Sequence, residues 1–247
     1  MGPEEFRTGL NNAREVIEKG GLVLVTGADL MAVRDIGLDF PVFAGVWPGL
    51  PVDPYYVGDR PSRFRRHAQF DFDADAGAIH WRRSTGYFQA IEFNPLFGGM
   101  VRHFAPIERY GAVERVLTRL VRIMSREVFE LSGRWLINVH LVRIAGDPDS
   151  AASPAPEGPH RDGYDFISLH LVGRDNDSGG ETIILDKSDR RLFALTLNAP
   201  LDTLCMDDRQ FRHYVTPISA KDRHCRRDMI LISYQATGSD YPLSVFE

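Results

Sequence analysis

Between Trp135 and Ala236 the chain is a succession of short β-favouring runs separated by turn-forming words, and this restricts the fold more than any other feature. "WLINVHLVRI", "DFISLHLVGR", "ETIILD", "RLFALTL", "DTLCMD", "RHYVTPI" and "DMILISYQA" follow one another, with "DNDSGG" among the breaks. Short strands at regular spacing with turn signals between them imply a β-barrel or sandwich. Gly179 and Gly180 read as a hairpin turn or bulge. One break differs from the rest: "AGDPDSAASPAPEG" is long enough to suggest function.

The first half is mixed. "EEFRTGLNNAREVIEKGG" reads as one helix, with Phe6, Leu10, Ala13 and Ile17 at helical spacing, and "LVLVT" as a strand. The Pro- and Gly-rich segment from Gly37 to Gly58 reads as loop. "SRFRRHAQFDFDADAGAIHWRRS" reads as a hairpin turning at "DADAG", with the basic "RFRRH" on a solvated strand edge. Tyr110 to Gly133 forms the clearest helix, its stripe being Val113, Val116, Leu117, Leu120, Val121 and Met124. Phe70, Phe72, Trp81, Tyr87 and Phe88 read as core. The fold class expected is α+β, mainly β: one domain over 1–247, with a helical and β extension to about 134 and the β core over about 135–240.

In "PEGPHRDGYDFISLHLV" an imidazole and a carboxylate stand two residues apart at the head of an apolar run. A two-residue step along a strand returns to the same face, so His160 and Asp162 can converge. His213 in "FRHYVTPIS" is the candidate third ligand. Two imidazoles and one carboxylate leave the opposite positions of a metal open, the pattern of non-haem Fe(II) oxygenases. "HRD" also echoes a kinase catalytic loop, but no Gly-rich loop, strand lysine or DFG accompanies it.

A 2-oxoglutarate cosubstrate would need a fixed cation for its distal carboxylate, and a guanidinium binds a carboxylate in bidentate fashion. "DRHCRRDMILISY" offers Arg223, Arg226 and Arg227. Arg227, immediately before the strand, is favoured; Arg223 lies nearer the turn, and Arg226 should point away. On "WLINVHLVRI", His140 shares a face with Asn138, Val142 and Ile144, from which it could meet the cosubstrate or form an ordinary buried polar pair. Arg143, on the other face, is a candidate partner for an acidic neighbour. Asp165 is a candidate for a substrate amine or a turn cap. A substrate with a carboxylate of its own would need a further cation, which Arg83 in "HWRRSTGYFQ" or the "SRFRR" stretch could supply, although a solvated strand face is the simpler reading of both.

"PEGPHRDGYDFISLHLVGRDNDSGGETII", "DDRQFRHYVTPI" and "RRDMILISY" together resemble the bacterial Fe(II)/2-oxoglutarate dioxygenases related to L-isoleucine 4-hydroxylase. The resemblance runs from about Trp135 to Tyr234. It implies a double-stranded β-helix (jelly-roll) core, iron on His160, Asp162 and His213, and 2-oxoglutarate on a basic residue near Arg227. It also implies hydroxylation of a small molecule, an L-amino acid or derivative, with O2 as oxidant, succinate and CO2 as products, and ascorbate as an aid in vitro. Two alternatives stay open: a cupin-like isomerase or hydrolase with the same ligands and no need for the anchoring arginine, and a ligand-binding jelly roll without catalysis.

A net charge of −5 argues against a nucleic-acid surface. No apolar run approaches the roughly 20 residues of a membrane span. Cys205 and Cys225 form no CxxC motif, and the N-terminus lacks a signal pattern, so a reducing cytoplasmic location is the expectation.

Overall fold

A computed structural model of the chain describes residues 2–55, 60–82 and 86–237. Strands β1 (Arg7–Thr8) and β2 (Leu22–Val25) flank helix α1 (Ala13–Gly20), and helices α2 (Gly27–Ala32) and α3 (Arg34–Ala44) follow. The hairpin β3 (Arg63–Asp73) and β4 (Ala78–Trp81) comes next, then a small ribbon of β5 (Tyr87–Phe88) and β6 (Val101–Arg102). Helix α4 (Gly111–Ile123) leads into the long strands β7 (Arg134–Gly146) and β8 (Phe166–Asp175). The last strands are β9 (Thr182–Leu185), β10 (Arg191–Leu195), β11 (Thr203–Asp207), β12 (Arg212–Val215) and β13 (Cys225–Ala236).

The strands form a major sheet in the order β1-β2-β11-β8-β13-β7-β3-β4 and a minor sheet in the order β10-β9-β12. A backbone bridge between His160 and His213 extends the minor sheet past β12. The two sheets face each other as a double-stranded β-helix, so the class is α+β, mainly β. Strands β2 and β3, from the first hundred residues, are hydrogen-bonded into the same major sheet as the later strands.

Period-2 alternation splits the long strands between two environments. Ile137, Val139 and Leu141 of β7 join Ile230 and Ile232 of β13 in a core shared with Phe40 and Phe43 of α3 and Val116, Leu117 and Leu120 of α4. The opposite face of β7 carries Asn138, His140 and Val142. A second core fills the space between the sheets, where Leu169 and Leu171 of β8 meet Ile184, Phe193 and Leu204. The helical stripe expected on α4 is buried as read, although the α-helix ends at Ile123 and a π-helical turn, Met124–Val128, carries the chain on.

Two expectations fail locally. The single helix from Glu4 is broken: Arg7 and Thr8 pair in parallel with Leu24 and Val25, and only Ala13–Gly20 is α-helical. The segment from Gly37 is helical up to Ala44 despite Pro41, because Ile36, Phe40 and Phe43 at helical spacing bury against α4 and outweigh local composition. The expected hairpin turn is present, Gly77 taking φ 67°. At the Gly179–Gly180 turn, with φ 77° and 76°, a Cβ on Gly179 would lie 1.7 Å from the Pro217 carbonyl oxygen, so only glycine fits.

Candidate active site

Register builds one wall of the site. Across β3, β7 and β13, Arg63 stands opposite Ile144 and Ile144 opposite Arg227. The next rows are Arg65, Val142 and Met229, then His67, His140 and Leu231, then Gln69, Asn138 and Ser233. Directly paired residues share a face, so these side chains point together away from the helices. "RFRRH" is therefore not a solvated edge: Arg63 and Arg65 are each only 8% exposed. The edge is covered because Val52 bridges to Phe64 and Pro106 to His67.

The minor sheet supplies the facing wall. His160 and His213 exchange backbone hydrogen bonds of 3.0 and 2.8 Å, which fixes their rings side by side with centroids 4.7 Å apart. His160 Nε2 lies 3.6 Å from Asp162 Oδ1, and His213 Nε2 lies 4.0 Å from Asp162 Oδ2. One donor atom from each residue falls within 4.8 Å of the other two. His160 Nδ1 is 2.8 Å from the Gly158 carbonyl, to which it donates, so Nε2 is the ring nitrogen that faces Asp162.

Electrostatics favour a cation at this point. Burial opposes a proton on His160, but Asp162, Glu157 and the Gly158 carbonyl outweigh it and raise the imidazole to about 9. Burial and the neighbouring His160 push His213 down to about 4. Burial works against ionisation of Asp162, yet the two imidazoles keep it below the usual carboxylate range. Asp162 is thus ionised and His213 neutral, and the extra proton of His160 occupies the place among the three convergent donors that a metal ion would take. Two nitrogens and one oxygen donor suit iron. Arg227 opens onto the same cavity, buried, with Nε lacking a hydrogen-bond partner. Burial and the facing Arg174 lower its guanidinium to about 10. Such a cation is unmatched until an anion joins it.

The sequence profile of the 2OG-Fe dioxygenase family matches residues 44–233, well over half of the chain. The chain belongs to this family. It is 27% identical to an L-isoleucine-4-hydroxylase of Bacillus thuringiensis over 179 residues, 70% of this chain and 74% of that one. The crystal structure of a bsmA homologue from Methylobium petroleophilum PM1 superposes with a TM-score of 0.79 at 28% identity, covering 96% of this chain and 97% of the other. IDO from Bacillus thuringiensis superposes with a TM-score of 0.74 at 18% identity over 92% and 99% of the two chains, a likeness of fold. The family's Fe(II), 2-oxoglutarate and O2 are therefore the cofactors here, and the donor set described above fits them. Neither the cupin-like hydrolase nor the non-catalytic jelly roll survives this assignment.

Structure sorts the remaining candidates of the dioxygenase. Arg223 is removed from the site: it is a surface residue paired with Asp175 at 2.7 Å and with Asp177. Arg226 points the other way and binds Asp228 at 2.7 Å, which Arg143 grips with two bonds of 2.7 and 2.8 Å. Asp165 also leaves the site, since its carboxylate accepts from the Ala236 N–H at 2.9 Å and meets Arg209 at 3.4 Å, closing the end of β13. Arg83 lies outside the described residues. His140 lines the cavity, stacked on His67 with centroids 4.4 Å apart and both ring nitrogens without partners.

Three features escaped sequence reading. Buried Asp208 accepts backbone N–H bonds from Asp162 at 3.0 Å, Gly163 at 2.7 Å and Tyr164 at 3.1 Å, so it holds the loop that carries the metal carboxylate. Burial and Asp162 raise it to about 7 against the pull of those three donors. Gly163 is required there, with φ 86° and a Cβ position 2.3 Å from the Phe93 ring. The third feature is the β5–β6 ribbon, which sets Tyr87, Gln89 and Arg102 over the cavity; Tyr87 is wall as well as core. The "DD" before His213 was a usable signal for Asp208, whereas nothing local marks Gln89 or Arg102.

Proposed function

We propose that this dioxygenase hydroxylates an unactivated C–H bond of a free L-amino acid or close derivative, releasing succinate and CO2. His160, Asp162 and His213 hold Fe(II), and Arg227 holds the distal carboxylate of 2-oxoglutarate. One observation carries the reading: three converging donors and a buried guanidinium without a carboxylate open onto a single cavity. The relative named L-isoleucine-4-hydroxylase supports the amino-acid class.

Bound iron supplies the oxidising power, coupling decarboxylation of 2-oxoglutarate to oxygen insertion. The chain does the rest. The Gly158 carbonyl keeps the proton of His160 on Nδ1, so Nε2 stays available. Asp208 fixes the backbone of Asp162, so its carboxylate is presented in one orientation. Arg227 orients the keto acid by its far end, leaving the other end for the metal. His140, unpartnered at both nitrogens, is proposed as a further contact to the cosubstrate. Val142, Leu169, Val215, Met229 and Leu231 keep water from the reacting C–H. Buried, free Cys205 and Cys225 are in keeping with a cytoplasmic setting. Among the described residues no helix is long and apolar enough to cross a membrane.

The test is succinate formation with Fe(II), 2-oxoglutarate and ascorbate in air, screened over the proteinogenic L-amino acids. Stimulation by an amino acid, with a product 16 Da heavier, is the expected result. Absence of any 2-oxoglutarate turnover in the wild-type protein refutes the reading.

A further inference from the structure

Four charged side chains of the cavity hold neither metal nor keto acid; Arg63 donates to the Pro154 carbonyl and Arg65 pairs with Asp53 at 3.3 Å, which leaves Arg102 and Glu157. Arg102 is 3% exposed, its Nε has no hydrogen-bond partner, and it makes no ion pair with a described residue. Its head is nonetheless built into place. Nη2 donates to Gln89 Oε1 at 2.9 Å, and the guanidinium sits 4.9 Å above the Tyr87 ring and 5.8 Å from Phe104. Gln89 is itself fixed, accepting from Asn94 at 3.2 Å and donating to the Asp162 carbonyl at 2.9 Å. Arg102 is thus tied through one side chain to the loop of the metal carboxylate. The second group is Glu157, whose side chain is 9% exposed. Its Oε1 lies 3.6 Å from His160 Nε2, and Oε2 is buried without a partner.

Resting on the dioxygenase reading above, we propose that Arg102 seats the carboxylate of the primary substrate and Glu157 seats its α-ammonium group, so that the site selects free α-amino acids. The groups match in sign and number: a buried guanidinium without an anion and a buried carboxylate oxygen without a donor border one cavity. Charge around the cavity refines the class. Arg63, Arg65, Arg102 and Arg227 face Asp162 and Glu157, with Asp53 behind Arg65 at 3.3 Å and Arg174 opposite Arg227, which leaves positive charge in excess. Fe(II) and doubly ionised 2-oxoglutarate cancel, so that excess persists and disfavours lysine and arginine as substrates. Aliphatic, polar and acidic side chains remain admissible.

The test reads binding without turnover. Anaerobic protein loaded with Fe(II) and 2-oxoglutarate is titrated calorimetrically with each proteinogenic L-amino acid. The amino acid that binds is then compared with its carboxamide and its deamino acid, in wild type, Arg102→Met, Arg102→Lys and Glu157→Gln. Wild type should bind each analogue about 30-fold or more weakly than the parent, as loss of one partner of a buried charge pair requires. Arg102→Met should bind parent and carboxamide alike, Arg102→Lys should keep part of the difference, and Glu157→Gln should lose the preference over the deamino acid alone. Three results overturn the proposal: wild type that does not discriminate the analogues, Arg102→Met that still rejects the carboxamide, or no amino acid that binds. If Glu157→Gln instead loses Fe(II), Glu157 is a metal ligand and its assignment falls. Wild-type succinate formation in air, measured beside these titrations, reports separately on the dioxygenase reading.

Discussion

Asp208→Ala tests whether the metal loop is held from behind. The substitution deletes acceptors for the N–H groups of Asp162, Gly163 and Tyr164, at 3.0, 2.7 and 3.1 Å. Each buried donor left without a partner costs about 1–3 kcal/mol. Water can enter the vacated volume, so the sum stays near the lower end, about 3–5 kcal/mol of stability. Asp208→Asn is milder, because its one oxygen can keep the paired bonds to Gly163 and Tyr164 while only the Asp162 N–H is lost; about 1–2 kcal/mol follows. Support of a ligand by its outer partners is typically worth about 10–100-fold in metal affinity, and the alanine variant should lose that much for Fe(II). Urea unfolding measures the first effect, and anaerobic Fe(II) titration of folded protein measures the second. An alanine variant within about 1 kcal/mol of wild type with unchanged Fe(II) affinity would show that the loop holds itself and that Asp208 has no positioning role.

Other expectations follow from the same geometry. Alanine at His160, Asp162 or His213 should abolish succinate release and Fe(II) binding together; a fully active variant at any of them removes that residue from the ligand set. Arg227→Met should raise the KM for 2-oxoglutarate about 100-fold, as expected for a lost charge-assisted pair, whereas Arg223→Ala, at the surface, should leave steady-state rates unchanged; the reverse pattern would return the anchor to Arg223. His170 is buried and held at about 3 by desolvation, with its nitrogens bonded to Ser168 Oγ at 2.9 Å and Thr203 Oγ1 at 2.7 Å. An unfolded histidine titrates near 6.5, so the unfolded chain binds the proton first, and this residue's stability contribution is intact above about pH 6.5 and declines towards pH 3. His170→Gln should flatten the loss of stability on acidification by about 1.4 kcal/mol per pH unit in that window; an unchanged slope in urea unfolding at several pH values refutes the assignment.

The strand series, the α4 stripe and the residue types of the candidate donor set are legible along the chain. Strands and stripe are periodic properties, alternation of two and spacing of three and four, but the HxD pair does not sit on a strand as expected: His160 makes an isolated bridge, and Asp162 lies on the loop before β8 that Asp208 holds. His213 is legible as a third ligand by residue type alone; a backbone bridge between β12 and the His160 loop brings the two imidazoles together. Other features depend on contacts between distant segments. Position along the chain favours Arg227 over Arg223 and Arg226, and the fold gives the reason: Arg227 lies on the inward row beside Ile144, while Asp175, Asp177 and Asp228 claim the others. "RFRRH" became cavity wall because Val52 and Pro106 cover its edge, a contact no local pattern encodes. Gln89, Arg102 and Asp208 act through partners 13 to 73 residues away in sequence. Periodicity tells a side chain which face it takes; what stands across from that face is set by how the sheets close.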